Sequence, residues 1–307
     1  MMLGLFGWPF GSDKVPETEQ QRELLRQQLG ITAYLAKREI LTVEQGKVHC
    51  ELYVHSETAP IIIFLPGLAT YSELYAELLS KISEQGFNVV GFDYRGHGYS
   101  QGLRGDYSVE ETVNDLIAVV TKLRERFSGE LGVFGYSIGA MLGLAFAERD
   151  TRVKALLCGT LLLTEVPPDF MHQMGWNWLW SSSLFVPALR VPLAHLINIE
   201  LLIGNHPAAE AIKNDQRLVY DYPISTLSSV FTHRAGVLEH AYPFKAAIIH
   251  GERDEVLPLS YSKRILPQLK HPFELLVIAN EGHMLPWDNT NLLAQQVVEW
   301  FDKQLHH

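Results

Sequence analysis

Apolar residues along this chain fall into two alternating patterns. Short runs that are apolar nearly throughout recur at Ile61–Leu65, Phe87–Phe92, Leu131–Phe134, Val153–Cys158, Ala246–His250 and Phe273–Ile278. Runs of this kind fit strands covered on both faces, as in a parallel sheet. Between them lie helix-like segments at Tyr71–Gln85, Val109–Phe127, Ile138–Arg149, Ser260–Leu269 and Asn289–Gln304. Strand–helix alternation with short links implies right-handed crossovers and a doubly wound, mostly parallel α/β sheet. Ahead of it, Glu17–Leu29 reads as an amphipathic helix on Leu24, Leu25 and Leu29, stopped by Gly30. Ile40–His55 reads as two strands turned at Gln45-Gly46.

One stretch breaks the rhythm. Leu161–His240 holds six prolines and Trp176, Trp178 and Trp180, and it is too long for one crossover helix. It is expected to be an inserted cap of short helices over the C-terminal edge of the sheet, where open α/β sheets put their sites. The other reading is a small separate domain with no catalytic role. The expected division is a tail and helix over 1–30, a core over 31–160 and 241–307, and a cap over 161–240.

Composition narrows the class without naming the chemistry. The 307 residues are 47% hydrophobic and 20% charged, ordinary for a globular protein with a large core. A formal net charge of −10 argues against nucleic acid as a routine partner, since phosphate binding needs clustered Lys and Arg. Cys50 and Cys158 both fall in expected strands and read as small buried hydrophobes. No metal-ligand spacing is visible, so no metal or other cofactor is expected. The apolar start, Met1–Gly11, lacks the basic residues of a secretory signal and is interrupted by Pro9 and glycines. Two readings stay open for it: a disordered or core-docked tail, and a weak contact with a membrane surface. A cytoplasmic location is expected, with peripheral membrane association as the alternative.

The sharpest chemical signal is Gly135-Tyr136-Ser137-Ile138-Gly139. It lies between the Leu131–Phe134 strand and the Ile138–Arg149 helix, so Ser137 sits on a strand-to-helix turn, where small neighbours let strand and helix approach closely. A serine hydroxyl needs a base within hydrogen-bond reach to act as a nucleophile. Of thirteen histidines, His283 stands out, because it follows the Phe273–Ile278 strand in a short loop and precedes the terminal helix. Its carboxylate partner is expected after the Ala246–His250 strand, where Glu252, Asp254 and Glu255 compete. Two backbone donors are needed for an oxyanion. The Ile138 N–H follows the nucleophile, and the Leu68 N–H follows Pro66-Gly67 at the end of the first parallel strand.

GYSIG around Ser137, GERDEVLP around Asp254, EGH ending at His283, and Asp93-Tyr94-Arg95-Gly96-His97-Gly98-Tyr99-Ser100 together resemble the α/β-hydrolase superfamily. They are most similar to its monoacylglycerol lipase and lysophospholipase-like branch, also grouped with serine aminopeptidases. The match covers Ile61–Cys158 and Ala246 to the C-terminus and leaves the cap unmatched. The resemblance implies an α/β-hydrolase fold, selects Asp254 among the three acids, and makes His97 structural. One departure stands out: the family's usual His-Gly before the oxyanion residue is Pro66-Gly67 here.

The leading functional expectation is hydrolysis of carboxylic acyl esters through an acyl-enzyme, with Ser137, Asp254 and His283 as the triad. Trp176, Trp178 and Trp180, with Leu179, Leu184, Phe185 and Val186, are expected to line an apolar acyl pocket; the alternative is that they simply bury the cap. A peptide N-terminus, thioester, lactone or carbon–carbon bond could be cleaved by the same machinery. An aminopeptidase would need acids to hold the ammonium, for which Glu165, Asp169, Glu200, Glu210, Asp215 and Asp221 are the candidates. A non-catalytic binding protein on this fold is the third reading.

Overall fold

The computed structural model describes residues 17–44, 47–195, 198 and 208–305. The apolar start over 1–11, the Gln45-Gly46 turn and Glu200 lie outside the described residues.

Helix α1 (Glu19–Leu29) begins on a Thr18 capping box and ends on Gly30, whose left-handed φ of 71° terminates it. A single turn, α2 (Thr32–Leu35), follows. Strands β1 (Glu39–Val43) and β2 (Val48–Tyr53) pair antiparallel, as expected from the sequence. Then come β3 (Ile61–Leu65), α3 (Ala76–Glu84), β4 (Asn88–Phe92), α4 (Val109–Leu123), β5 (Leu131–Tyr136), α5 (Ile138–Arg149) and β6 (Val153–Gly159). After the cap segment the chain resumes with β9 (Lys245–Gly251), α9 (Leu259–Ile265), β10 (Glu274–Ile278), a turn α10 (Leu285–Asp288) and α11 (Thr290–Leu305).

The described strands form an eight-stranded sheet in the order β1-β2-β4-β3-β5-β6-β9-β10. β2 pairs antiparallel with β4, and every pairing from β4 to β10 is parallel. The order reverses around β3, as in doubly wound sheets. Alternation along β3 explains why its run is apolar throughout. Ile61, Ile63 and Leu65 join one core cluster, while Ile62 and Phe64 join another on the opposite face. The edge strand β10 differs from that expectation: Val277 is 43% exposed, because an edge strand lacks cover on its far side.

The segment between β6 and β9 is not purely helical. It contains α6 (Phe170–Ser183), a short antiparallel pair of β7 (Arg190–Pro192) and β8 (Asp221–Pro223), and helices α7 (Ala209–Lys213) and α8 (Ile224–Phe231). Prolines at both ends of the small ladder limit it to three residue pairs. Cys50 and Cys158 are buried and unbonded to one another, in β2 and β6.

Candidate active site

The parallel strands end at one edge, and four chain segments meet there. The first is the turn from β5 into α5. Ser137 adopts φ 54° and ψ −121°, a conformation that costs an L-residue energy and persists only where its surroundings impose it. The surroundings here are tight. A methyl group on Gly135 would lie 2.1 Å from the Gly139 carbonyl oxygen, and one on Gly139 would lie 2.1 Å from that of Leu65. Both glycines are therefore demanded by backbone contact. The Ser137 N–H donates to the Gly159 carbonyl at 2.7 Å, which ties the turn to β6.

The second segment follows β9. Asp254 is buried at 6% exposure. Its Oδ1 accepts the N–H groups of Val256 and Leu257 at 2.9 and 2.8 Å, and its Oδ2 accepts the Thr160 hydroxyl at 2.9 Å. Oδ2 also lies 2.8 Å from His283 Nδ1. Burial pushes the Asp254 carboxyl upward, but the His283 hydrogen bond and charge, with the Leu257 and Thr160 donors, outweigh it and hold it below its ordinary value. Glu252 and Glu255 remain exposed, each accepting a backbone N–H, from Asn280 and His283 respectively. Among the three competing acids, Asp254 is the one bonded to the imidazole.

His283 forms the third segment, in the loop after β10. With Nδ1 on a carboxylate, the proton sits at Nδ1 and Nε2 is left as the basic nitrogen. The loop is braced from beneath, because the Tyr136 hydroxyl donates to the His283 carbonyl at 2.9 Å. Thr160 and Tyr136 are supports that sequence reasoning missed. Tyr136 stands inside the Ser137 motif, and Thr160 ends the strand beside it; those positions were the available signals.

The fourth segment follows β3. Gly67 is close enough to the serine that a methyl group on it would lie 3.7 Å from Ser137 Cβ. The turn is closed by the Thr70 N–H and hydroxyl on the Gly67 carbonyl, at 3.3 and 2.9 Å. Among the described residues, neither the Leu68 nor the Ile138 N–H is hydrogen bonded to a protein acceptor.

A cavity of about 720 Å³ opens over this edge. Ser137, His283, Leu68, Ile138 and Thr160 line its floor, and Met171, Trp176, Trp178, Leu179 and Leu193 contribute to its cap side. Trp180, Leu184, Phe185 and Val186 do not line it, which corrects the expectation from sequence. Trp180 is 56% and Phe185 82% exposed. The reason is not the face: four residues apart, Trp176 and Trp180 lie within about 40° of one another around α6, but the α6 residues that line the cavity end at Leu179, one position before Trp180. His97 is not at the site floor. It is buried, and burial lowers its pKa to about 4, as a structural residue rather than a base.

A serine on a strained strand-to-helix turn, sharing one cavity with a carboxylate-bound imidazole at the end of a parallel sheet, fits an α/β-hydrolase. The chain belongs to the Hydrolase_4 family, described as serine aminopeptidase, S33, whose model matches residues 56–290. It is 21% identical over 231 residues to the AB hydrolase superfamily protein YisY of Bacillus subtilis, covering 72% of this chain and 84% of that protein. Among solved structures, the monoacylglycerol lipase of Paleococcus ferrophilus superposes with a TM-score of 0.66 at 22% identity, over 82% of this chain and 98% of that one. A soluble variant of the Saccharomyces cerevisiae monoglyceride lipase, in complex with a substrate analogue, superposes with a TM-score of 0.70 at 15% identity, over 87% and 94%. Both structural likenesses establish the fold. Among the described residues, no helix is long and apolar enough to cross a membrane.

Proposed function

We propose that the protein hydrolyses carboxylic esters of apolar acyl groups, with Ser137 as nucleophile, His283 as base and Asp254 as the residue that orients it. The carrying observation is that Ser137 and the Asp254-bound His283 line one largely apolar cavity. Ser137 Oγ attacks the ester carbonyl while His283 Nε2 takes its proton. The tetrahedral oxyanion meets the N–H groups of Leu68 and Ile138, and the start of α5 adds partial positive charge. Collapse expels the alcohol, protonated by the imidazolium, and leaves an acyl-enzyme. A water, activated by the same nitrogen, then releases the acid.

The cavity's lining favours this substrate class over a peptide N-terminus. Holding an ammonium needs a carboxylate, and among the described lining residues there is no Asp or Glu, whereas Lys213 and His172 are present. Four of the described candidate acids are engaged elsewhere. Asp215 pairs with Arg22, Asp221 with Arg190, Glu165 accepts the Ala235 N–H, and Asp169 caps α6. An apolar lining rewards acyl chains at about 25 cal/mol per Å² removed from water.

The test is a p-nitrophenyl ester chain-length series on the wild type and Ser137→Ala. Hydrolysis rises from acetyl to longer chains, and the variant loses at least about three orders of magnitude in kcat. Equal rates in the two proteins remove Ser137 from the mechanism, and a preference for acetyl removes the apolar acyl class.

A further inference from the structure

The turn that carries Leu68 is held in an unfavourable conformation by the cap. Ala69 has φ 69°, in the region that favours glycine. Two hydrogen bonds from one cap segment hold it there. The Ala69 N–H donates to the Tyr222 hydroxyl oxygen at 2.8 Å, and the Ala69 carbonyl accepts the Val219 N–H at 3.1 Å. Tyr222 belongs to β8 and is fully buried.

The Tyr222 hydroxyl is itself oriented. His97 Nδ1 lies 3.1 Å from the Arg95 carbonyl, which can only accept, so that nitrogen carries the ring proton. His97 Nε2, 3.0 Å from the Tyr222 oxygen, is then the acceptor for the hydroxyl proton. With its proton directed at His97, the Tyr222 oxygen presents a lone pair to Ala69. The chain of donors therefore runs in one direction, from Ala69 to Tyr222 to His97 to Arg95. The burial that keeps His97 neutral keeps the acceptor available.

We propose that Tyr222 is a positioning residue for the oxyanion hole: its hydroxyl, oriented by His97, fixes the Leu68–Ala69 turn and so makes stabilisation of the transition state depend on a seated cap. The inference rests on Leu68 being an oxyanion donor in the reaction proposed above. It also supplies a reason for His97 in the Asp93–Ser100 segment. Without the hydroxyl, only the Val219 N–H still holds Ala69 near φ 69°, and the adjoining peptide gains freedom to turn away from the oxyanion's position.

The experiment compares the wild type, Tyr222→Phe, His97→Gln and Ser137→Ala on a p-nitrophenyl ester, with thermal midpoints as a check of folding. Tyr222→Phe keeps the ring and loses only the hydroxyl. Its kcat falls about ten- to a hundredfold, somewhat less than removal of an oxyanion donor outright, while KM stays within about twofold. Affinity for a trifluoromethyl ketone, whose hemiketal oxygen occupies the oxyanion's position, falls in step with kcat/KM. Adding Ala69→Gly to Tyr222→Phe restores part of kcat, because glycine holds a positive φ without help. His97→Gln is the independent arm, with a fall in kcat at unchanged KM. The inference is overturned if both single variants keep kcat within about twofold, or if KM alone rises, while Ser137→Ala is inactive. Full activity in Ser137→Ala overturns the proposed reaction and this inference with it.

Discussion

Asp254 shows why the proposed acid could be narrowed but not chosen from residue order alone. Glu252, Asp254 and Glu255 share one loop, and only the folded chain reveals that Asp254 turns inward, onto Thr160 and His283. Those partners lie 94 and 29 residues away in sequence, beyond any local pattern. The turn that carries Ser137 was legible because Gly135 and Gly139 flank it, the first required by a contact inside the turn and the second by the neighbouring strand at Leu65. His97 has a consequence at the same scale. Its pKa falls from 6.5 to about 4 through burial, so the unfolded chain binds a proton that the folded one refuses across that range. Stability therefore rises with pH from about 4 to 6.5 and is lost on acidification through the same window. At about 1.4 kcal/mol per pH unit, the effect of this one side chain is on the order of 3 kcal/mol. Burial shifts His250 and His271 in the same direction. Urea unfolding at pH 7 and pH 5 checks the assignment: the wild type loses more stability between them than His97→Gln does. Equal losses in the two proteins would contradict it.

Among elements, α1 departs most from its sequence pattern. Of the expected stripe Leu24, Leu25 and Leu29, Leu25 is buried and Leu29 packs on the core, but Leu24 is 55% exposed and the most deeply buried residue is Arg22. The Arg22 guanidinium bonds to Glu73, Tyr71 and Asp215, and Arg26 and Arg38 also reach Glu73. Burial alone would raise the Glu73 carboxyl, but the Arg26 hydrogen bond and the charges of Arg22 and Arg26 bring it down to about 2. This network joins α1 to the loop after β3 and to cap residue Asp215. Hydrophobic periodicity is silent about it, because its partners are polar and distant in the chain. Removing one partner of a buried ion pair leaves the others uncompensated, at about 3–5 kcal/mol. Arg22→Ala should therefore destabilise the protein by that amount in denaturant titration, and a loss below about 1 kcal/mol would contradict a structural role for the network. The strands behaved otherwise. β3 matched its apolar run residue for residue, since burial on both faces imposes a pattern that any reader of the sequence can see.

Across the whole molecule, the doubly wound sheet was legible, whereas the segment between β6 and β9, expected to be a cap of short helices, could not be resolved into its elements from sequence. Strand–helix alternation predicts the core, because each crossover is local and each strand must be apolar. The cap obeys weaker rules. Its short elements include a two-stranded ladder, and its helix α6 buries only Trp176 and Leu179 while leaving Phe170, Met171 and Trp178 more than half exposed. The same organisation explains the proposed chemistry: the sheet edge supplies the proposed serine, acid and base, and the segment between β6 and β9 walls part of an apolar cavity of about 720 Å³ above them. The claim on which this account stands is that Ser137 is the nucleophile, and covalent trapping tests it most directly. A fluorophosphonate ester, incubated with the full chain and followed by intact mass and peptide mapping, should add one phosphonyl group, on Ser137, with labelling lost in Ser137→Ala and slowed at least about a hundredfold in His283→Ala. An adduct on a different residue, or undiminished labelling of Ser137→Ala, would contradict the account.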